Sequence, residues 1–205
     1  MKSHKGKIVI ISSPSGGGKS SICRKILKKN KKDNWQFSVS TTTRPPRKNE
    51  TDGIEYNFVN HAQFLNLKKK NEFAESCQVH RFYYGTSRKP LEKVLKKGGV
   101  MLLDVDVKGA KKLKEQFPTA LTIFILPPSK LELKKRLKRR GTEDNTHLEI
   151  RRKRALNEMK LYKRFEYVVI NKDLKTAVDE VDMIIKSLHC RQKNLNLEQI
   201  NRIIG

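Results

Sequence analysis

The run KIVIIS at Lys7–Ser12 passes without interruption into SPSGGGKSS and then into the helical pattern ICRKILKKN. A short stretch rich in Ile and Val reads as a buried strand, the three glycines as a tight turn, and the spacing that follows as a helix. A chain that begins in this way commits its first strand to a βα unit, the building block of sheets covered by helices. Later apolar runs agree. VMLLDV at Val100 to Val105 and LTIFIL at Leu121 to Leu126 are too short for helices and continuous rather than alternating, as strands buried on both faces of a parallel sheet are. Amphipathic KGAKKLKEQF at Lys108 to Phe117 lies between them, and YVVIN at Tyr167 to Asn171 supplies a further strand before the helical DLKTAVDEVDMIIKSL. The fold class expected is α/β, a three-layer sandwich around a parallel core sheet.

The turn itself has chemistry. Ser13, Pro14, Ser15, Gly16, Gly17, Gly18, Lys19 and Ser20 match the G-x-x-x-x-G-K-[ST] pattern of a P-loop, with serine in place of the first glycine and Ser21 following in the helix. Such a loop turns its backbone N–H groups inward around a phosphate at the positive end of the next helix. Gly16 to Gly18 are expected to supply torsional freedom, Lys19 to reach the β- and γ-phosphates of a nucleoside triphosphate, and the Ser20 hydroxyl to ligate Mg²⁺. A carboxylate at the end of a neighbouring strand completes a metal site of this kind, which singles out Asp104, with Asp106 two residues on. The alternative role for either aspartate is to cap the following helix.

Between Trp35 and Pro90 the strand–helix rhythm breaks into short mixed segments with turn residues and many aromatics. Its first part, SVSTTTRPPRKNETDGIEY, concentrates Ser40, Arg44, Arg47, Glu50 and Tyr56 around two stiffening prolines, and two arginines three apart can fork around one phosphate. Its second, ESCQVHRFYYGTS, brings Glu75, Tyr84 and Thr86 together. A second irregular stretch, Arg139 to Arg154, has Gly, Asp and Asn at its centre and arginines on both sides, as a loop that closes over an anion would.

With 46 Lys+Arg against 21 Asp+Glu, the 205-residue chain has a formal charge of +25. That attracts any polyanion, but the excess sits in short lysine runs (Lys28-Lys29, Lys31-Lys32, Lys68 to Lys70, Lys134-Lys135) that read as solvated helix faces. No helix-turn-helix, zinc-finger or RNA-binding signature accompanies them, so no specific nucleic-acid partner is expected. Cys23, Cys77 and Cys190 are odd in number and widely spaced, which suits a reducing cytosol and neither a disulfide framework nor structural zinc. No run approaches the ~20 apolar residues of a membrane span, and the start lacks a signal-peptide pattern, so a cytoplasmic protein is expected.

Taken together, SPSGGGKSS, SVSTTTRPPR, GIEYNFV, FAESCQVHRFYYGTS, LLDVDVKGA and FILPPS resemble guanylate kinase in order and separation, over nearly all of Lys7 to His189. The resemblance implies a P-loop nucleoside-monophosphate kinase that converts MgATP and GMP, with dGMP as a second acceptor, to ADP and the diphosphate. It implies one domain over 1–205: core 1–36, 91–138 and 156–190, a GMP-binding region 37–90, a mobile lid 139–155 and a tail 191–205. By similarity Arg44, Arg47, Tyr56 and Tyr84 hold the GMP phosphate; Ser40, Glu75 and Thr86 face the guanine with Asp106 close by. Arg136, Arg140 and Arg151 swing over the triphosphate with the lid, and Asn171 touches the adenine. Whether the chain acts as a monomer or a homo-oligomer is left open.

Overall fold

The computed structural model of the chain describes residues 6–47, 50–79, 81–139, 145–191 and 202–204. Strand β1 (Lys7–Ser12) leads through the glycine turn into α1 (Lys19–Lys29), and short strands β2 (Trp35–Phe37), β3 (Ser40–Thr42) and β4 (Tyr56–Phe58) follow. Then come α2 (His61–Lys69), the hairpin β5 (Phe73–Val79) and β6 (Phe82–Ser87), and α3 (Arg88–Lys96). Strand β7 (Val100–Asp104), α4 (Val107–Gln116), β8 (Leu121–Leu126), α5 (Lys130–Arg139), α6 (Asn145–Met159), β9 (Tyr167–Ile170) and α7 (Leu174–Lys186) complete the order.

The core sheet runs β2-β7-β1-β8-β9, and every pairing in it is parallel. Side chains of a strand alternate between faces. In β1, Val9 and Ile11 pack with Ile22, Ile26, Val178 and Val181 of α1 and α7, whereas Ile8 and Ile10 pack with Leu91, Val94 and Leu113 of α3 and α4. Both faces are therefore apolar, which is why the run in the sequence is continuous, and the α/β sandwich follows. The lysine runs 28–29, 31–32, 68–70 and 134–135 lie on exposed positions. All three cysteines are free. No helix among the described residues is long and apolar enough to cross a membrane.

Two expectations need correction. Trp35–Phe37 does not open the irregular stretch: it pairs with Val100–Leu102 as the edge strand of the core sheet, its short length having hidden its period. The arginine-rich half of the stretch 139–154 is not loop either, since α6 begins at Asn145. The good helix formers in HLEIRRKRAL outweigh the turn residues before them.

A second sheet, β4-β3-β6-β5, stands beside the first. It is mixed, with β3 parallel to β4 and antiparallel to β6. The Phe64 and Phe73 rings stack at 4.7 Å beneath it, fixing α2 against β5. Between the two sheets opens the cleft at the carboxyl ends of β1 and β7, the place where open parallel sheets bind ligands.

Candidate active site

The glycine turn forms a cradle whose parts are individually accounted for. Gly16 and Gly18 have φ of 87° and 95°, the left-handed region that side chains resist. Gly17 differs from the expectation: its need is for space, because a Cβ there would lie 2.8 Å from the Ser13 Cβ and 3.1 Å from the Ile125 carbonyl oxygen. The serine at the first position of the motif is thus accommodated by glycine at the fifth. Gly17 N donates to the Pro14 carbonyl (2.9 Å), and the Asn171 side-chain amide donates to the Gly17 carbonyl (2.9 Å) from behind the loop. A Cβ on Gly18 would collide with that amide. Gly18→Ala therefore lowers stability by about 2 kcal/mol or more through αL strain plus displacement of Asn171, read as a drop in the denaturation midpoint.

Strand register brings the acidic partner to the cradle. Ile11 pairs with Asp104, so the end of β7 lies level with the start of the loop. The Lys19 Nζ sits 2.5 Å from Asp104 Oδ1 and donates to the Val105 carbonyl at 2.6 Å, while the Ser20 hydroxyl donates to Asp104 Oδ2 at 3.0 Å. Burial works against the Lys19 charge, but the adjacent Asp104 carboxylate outweighs it and holds the ammonium above the ordinary lysine range. The Ser20 hydroxyl and Asp104 carboxylate are hard oxygen donors side by side, a set that fits Mg²⁺, which takes one or two protein oxygens and completes its shell with phosphates and water. No group of three His, Cys, Asp or Glu able to hold a metal occurs among the described residues. Asp106 instead caps α4, accepting the Gly109 N–H at 2.8 Å.

Across the cleft, the β5–β6 hairpin places Glu75 opposite Thr86. Thr86 donates to Glu75 Oε1 at 3.0 Å, and Glu75 Oε2, in a residue only 8% exposed, has no hydrogen-bond partner among the described residues. Burial pushes the Glu75 carboxyl up to about 7, with Thr86 opposing the shift and Asp106 adding to it. The carboxyl lines a chamber of about 170 Å³ shared with Ser40, Tyr56, Cys77, Tyr84 and Asp106. That chamber opens through Lys19, Ser40, Tyr56, Asp104 and Asp106 into a cleft of about 700 Å³ that includes Ser13 to Ser21, Arg47 and Glu50. Above it Arg44 donates from Nη2 to both Glu50 carboxylate oxygens, at 2.9 and 2.8 Å, and from Nη1 to the Pro45 carbonyl at 2.7 Å, with its guanidinium 5.3 Å from the Tyr56 ring centre. Arg47 donates its backbone N–H to the same Glu50 at 2.9 Å, and its side chain, 63% exposed, lies 3.7 Å from that carboxylate. Glu50 thus anchors both arginines, and the Tyr56 and Tyr84 rings meet edge to face at 5.9 Å beside them.

The guanylate kinase family model matches residues 5–188. The chain is 40% identical over 198 residues to the guanylate kinase of Clostridioides difficile strain 630, covering 95% of this chain and 96% of that one. The chain belongs to the guanylate kinase family. Similarity to the guanylate kinase of Salmonella typhimurium strain LT2 is 41% over 203 residues, 98% of each chain. The crystal structure of guanylate kinase from Anaplasma phagocytophilum superposes with a TM-score of 0.79 at 32% identity, covering 96% of this chain and 93% of that one.

Within this guanylate kinase fold, the residues expected on the acceptor side, Ser40, Arg44, Glu50, Tyr56, Glu75, Tyr84 and Thr86, gather on one sheet and its loop. Arg136 and Asn171 lie behind the phosphate loop: Arg136 donates to the Asn171 carbonyl (3.0 Å) and to Glu132 (2.9 Å), and Asn171 is buried. Arg151 reaches the Ser15 hydroxyl at 3.3 Å. Arg140 lies outside the described residues, as does most of the tail. Cys77 and Glu158 are among the cleft residues that went unforeseen. For Glu158 the signal was available, since Arg151, Ala155 and Glu158 share one face of a helix at spacings of four and three.

Proposed function

We propose that this protein transfers the terminal phosphoryl group of MgATP to GMP, giving ADP and GDP. One observation carries the acceptor's identity: a buried carboxylate with one oxygen held by Thr86 and the other without a hydrogen-bond partner among the described residues. Such an oxygen calls for donors. Guanine offers N1–H and N2–H₂ side by side, whereas adenine offers a lone pair at N1 that would repel it. Ser40 and Asp106 line the same chamber.

The acceptor's phosphate is the nucleophile and is already ionised at neutral pH, so no general base is required. The task is to align two anions and cancel their repulsion. Arg44, Arg47, Tyr56 and Tyr84 grip the acceptor phosphate, Lys19 and the loop amides grip the donor, and the cleft between them sets the line of transfer. Ser20 and Asp104 would hold Mg²⁺ here, and the ion would supply charge neutralisation at the donor's phosphate oxygens. Arg136 and Arg151 complete the donor side, Asn171 braces the loop beneath the nucleotide, and residues 139–155 act as the lid over a core and a GMP-binding region 37–90. Free thiols and metabolite substrates favour a cytoplasmic setting. An ADP-release assay with GMP, dGMP, AMP, UMP and CMP as acceptors tests the reading: GMP and dGMP react, and AMP falls short by about 10³-fold or more in kcat/KM.

The raised Glu75 carboxyl gives a pH signature. Only the ionised form accepts both guanine donors, and in the free protein that form is lost as pH falls through about 7. kcat/KM for GMP therefore declines below pH 7, by about tenfold per unit at the limit, whereas kcat holds to lower pH because bound donors stabilise the carboxylate. Comparison with Glu75→Gln between pH 5.5 and 8.5 isolates this limb from the second ionisation of GMP's own phosphate, which both proteins share.

A further inference from the structure

Glu158 makes a contact that the reaction as outlined does not use. From the inner face of α6 its Oε2 accepts the backbone N–H of Ser15 at 3.2 Å. Arg151, two turns earlier on the same face, donates to the Ser15 hydroxyl at 3.3 Å, and Ala155 between them is fully buried. α6 is thus fastened to the phosphate loop at both atoms of one residue. Loop amides of this kind receive phosphate oxygens, and here a carboxylate oxygen takes one. It is held weakly as an anion. Burial pushes the Glu158 carboxyl above its usual range, the Ser15 N–H opposes that, and the charged groups facing it are Asp106, Lys19 and Arg154. A carboxylate in the path of a triphosphate repels it.

Resting on the kinase reading of the cleft, we propose that Glu158 is a positioning residue that occupies the Ser15 amide in place of a terminal phosphate oxygen, and that the donor triphosphate displaces it. Filling the cradle then breaks one tie between α6 and the loop, so that α6 is reset by the arrival of its substrate. Competition has a consequence opposite to that of ordinary support. Removing a merely structural contact weakens binding or leaves it unchanged, whereas removing a competitor tightens it.

The test uses the full chain with Mg²⁺ and without GMP. Titration calorimetry of Glu158→Gln and Glu158→Ala is expected to give ATP affinities about tenfold tighter than the unaltered protein, with less than a twofold gain for ADP, which lacks the terminal phosphoryl. In steady state KM for ATP falls about tenfold while kcat falls or stays level, a split that a loss of structural support does not produce. Unchanged or weaker ATP affinity in both variants overturns the proposal, and an equal gain for ADP overturns the assignment to the terminal phosphate. Absence of ATP-dependent GMP phosphorylation by the unaltered protein would instead remove the kinase reading on which it stands.

Discussion

Lys19→Met lowers kcat by about 10³-fold or more while leaving GMP affinity within about twofold of the native value. The magnitude follows from what one preorganised cation contributes to a phosphoryl-transfer transition state. Lys19 is the cation that the first turn of α1 places at the mouth of the glycine turn, and its partners fix it there: Asp104 at 2.5 Å and the Val105 carbonyl at 2.6 Å. Its removal has a second effect, because Asp104, with a side chain only 11% exposed, loses its counter-charge. The thermal midpoint of Lys19→Met therefore falls as well. Lys19→Arg separates the two effects. It restores charge opposite Asp104 and recovers stability, yet its planar fork does not reproduce a point ammonium, so turnover stays depressed. Single-turnover measurements at saturating ATP and GMP, beside melting curves of both variants, distinguish lost chemistry from lost fold. Native turnover in a folded Lys19→Met protein would remove Lys19 from the reaction.

The parts of this molecule that were legible in its sequence are those that local pattern encodes. β1 and β8 begin and end where their apolar runs do, because a strand covered on both faces has no polar positions to blur its limits. β7 ends on Asp104, so the carboxylate's place beside the loop followed from the run before it. What stayed hidden depends on pairing across the chain. The sequence does not say that β2 pairs with β7 and leaves β1 between β7 and β8, because three residues have too little period to announce a strand. The Glu50 clamp on Arg44 was visible only as a cluster of charges, and that both carboxylate oxygens converge on one nitrogen of the guanidinium is a matter of loop closure. Glu158 meets Ser15 across 143 positions. Gly17 is expected from the motif to supply torsional freedom and instead leaves room for Ser13, a distinction that only packing draws.

Glu75→Gln is expected to lower kcat/KM for GMP by about 10³- to 10⁴-fold and to leave ATP affinity unchanged. The substitution keeps the volume and the Oε1 that Thr86 holds. It replaces the unpartnered Oε2 with an amide that donates, and guanine's edge presents donors to it, so one attraction is lost and one repulsion created. Adenine gains little, since the rest of the chamber is unchanged. The same exchange should stabilise the ligand-free protein. A carboxyl pushed up to about 7 is ionised above that pH at a folding cost of about 3 kcal/mol relative to an exposed glutamate. The unfolded chain titrates near 4.5, so this cost is absent below 4.5, where the carboxyl is protonated in both states, and grows through the window up to 7. Glutamine is neutral throughout, and the melting temperature of Glu75→Gln at pH 8 should exceed that of the unaltered protein by about 6 °C or more, with the difference closing as pH falls towards 4.5. A variant that loses GMP selectivity while gaining stability would identify Glu75 as a charge kept buried for the acceptor it reads; one that loses both would identify it as part of the sheet.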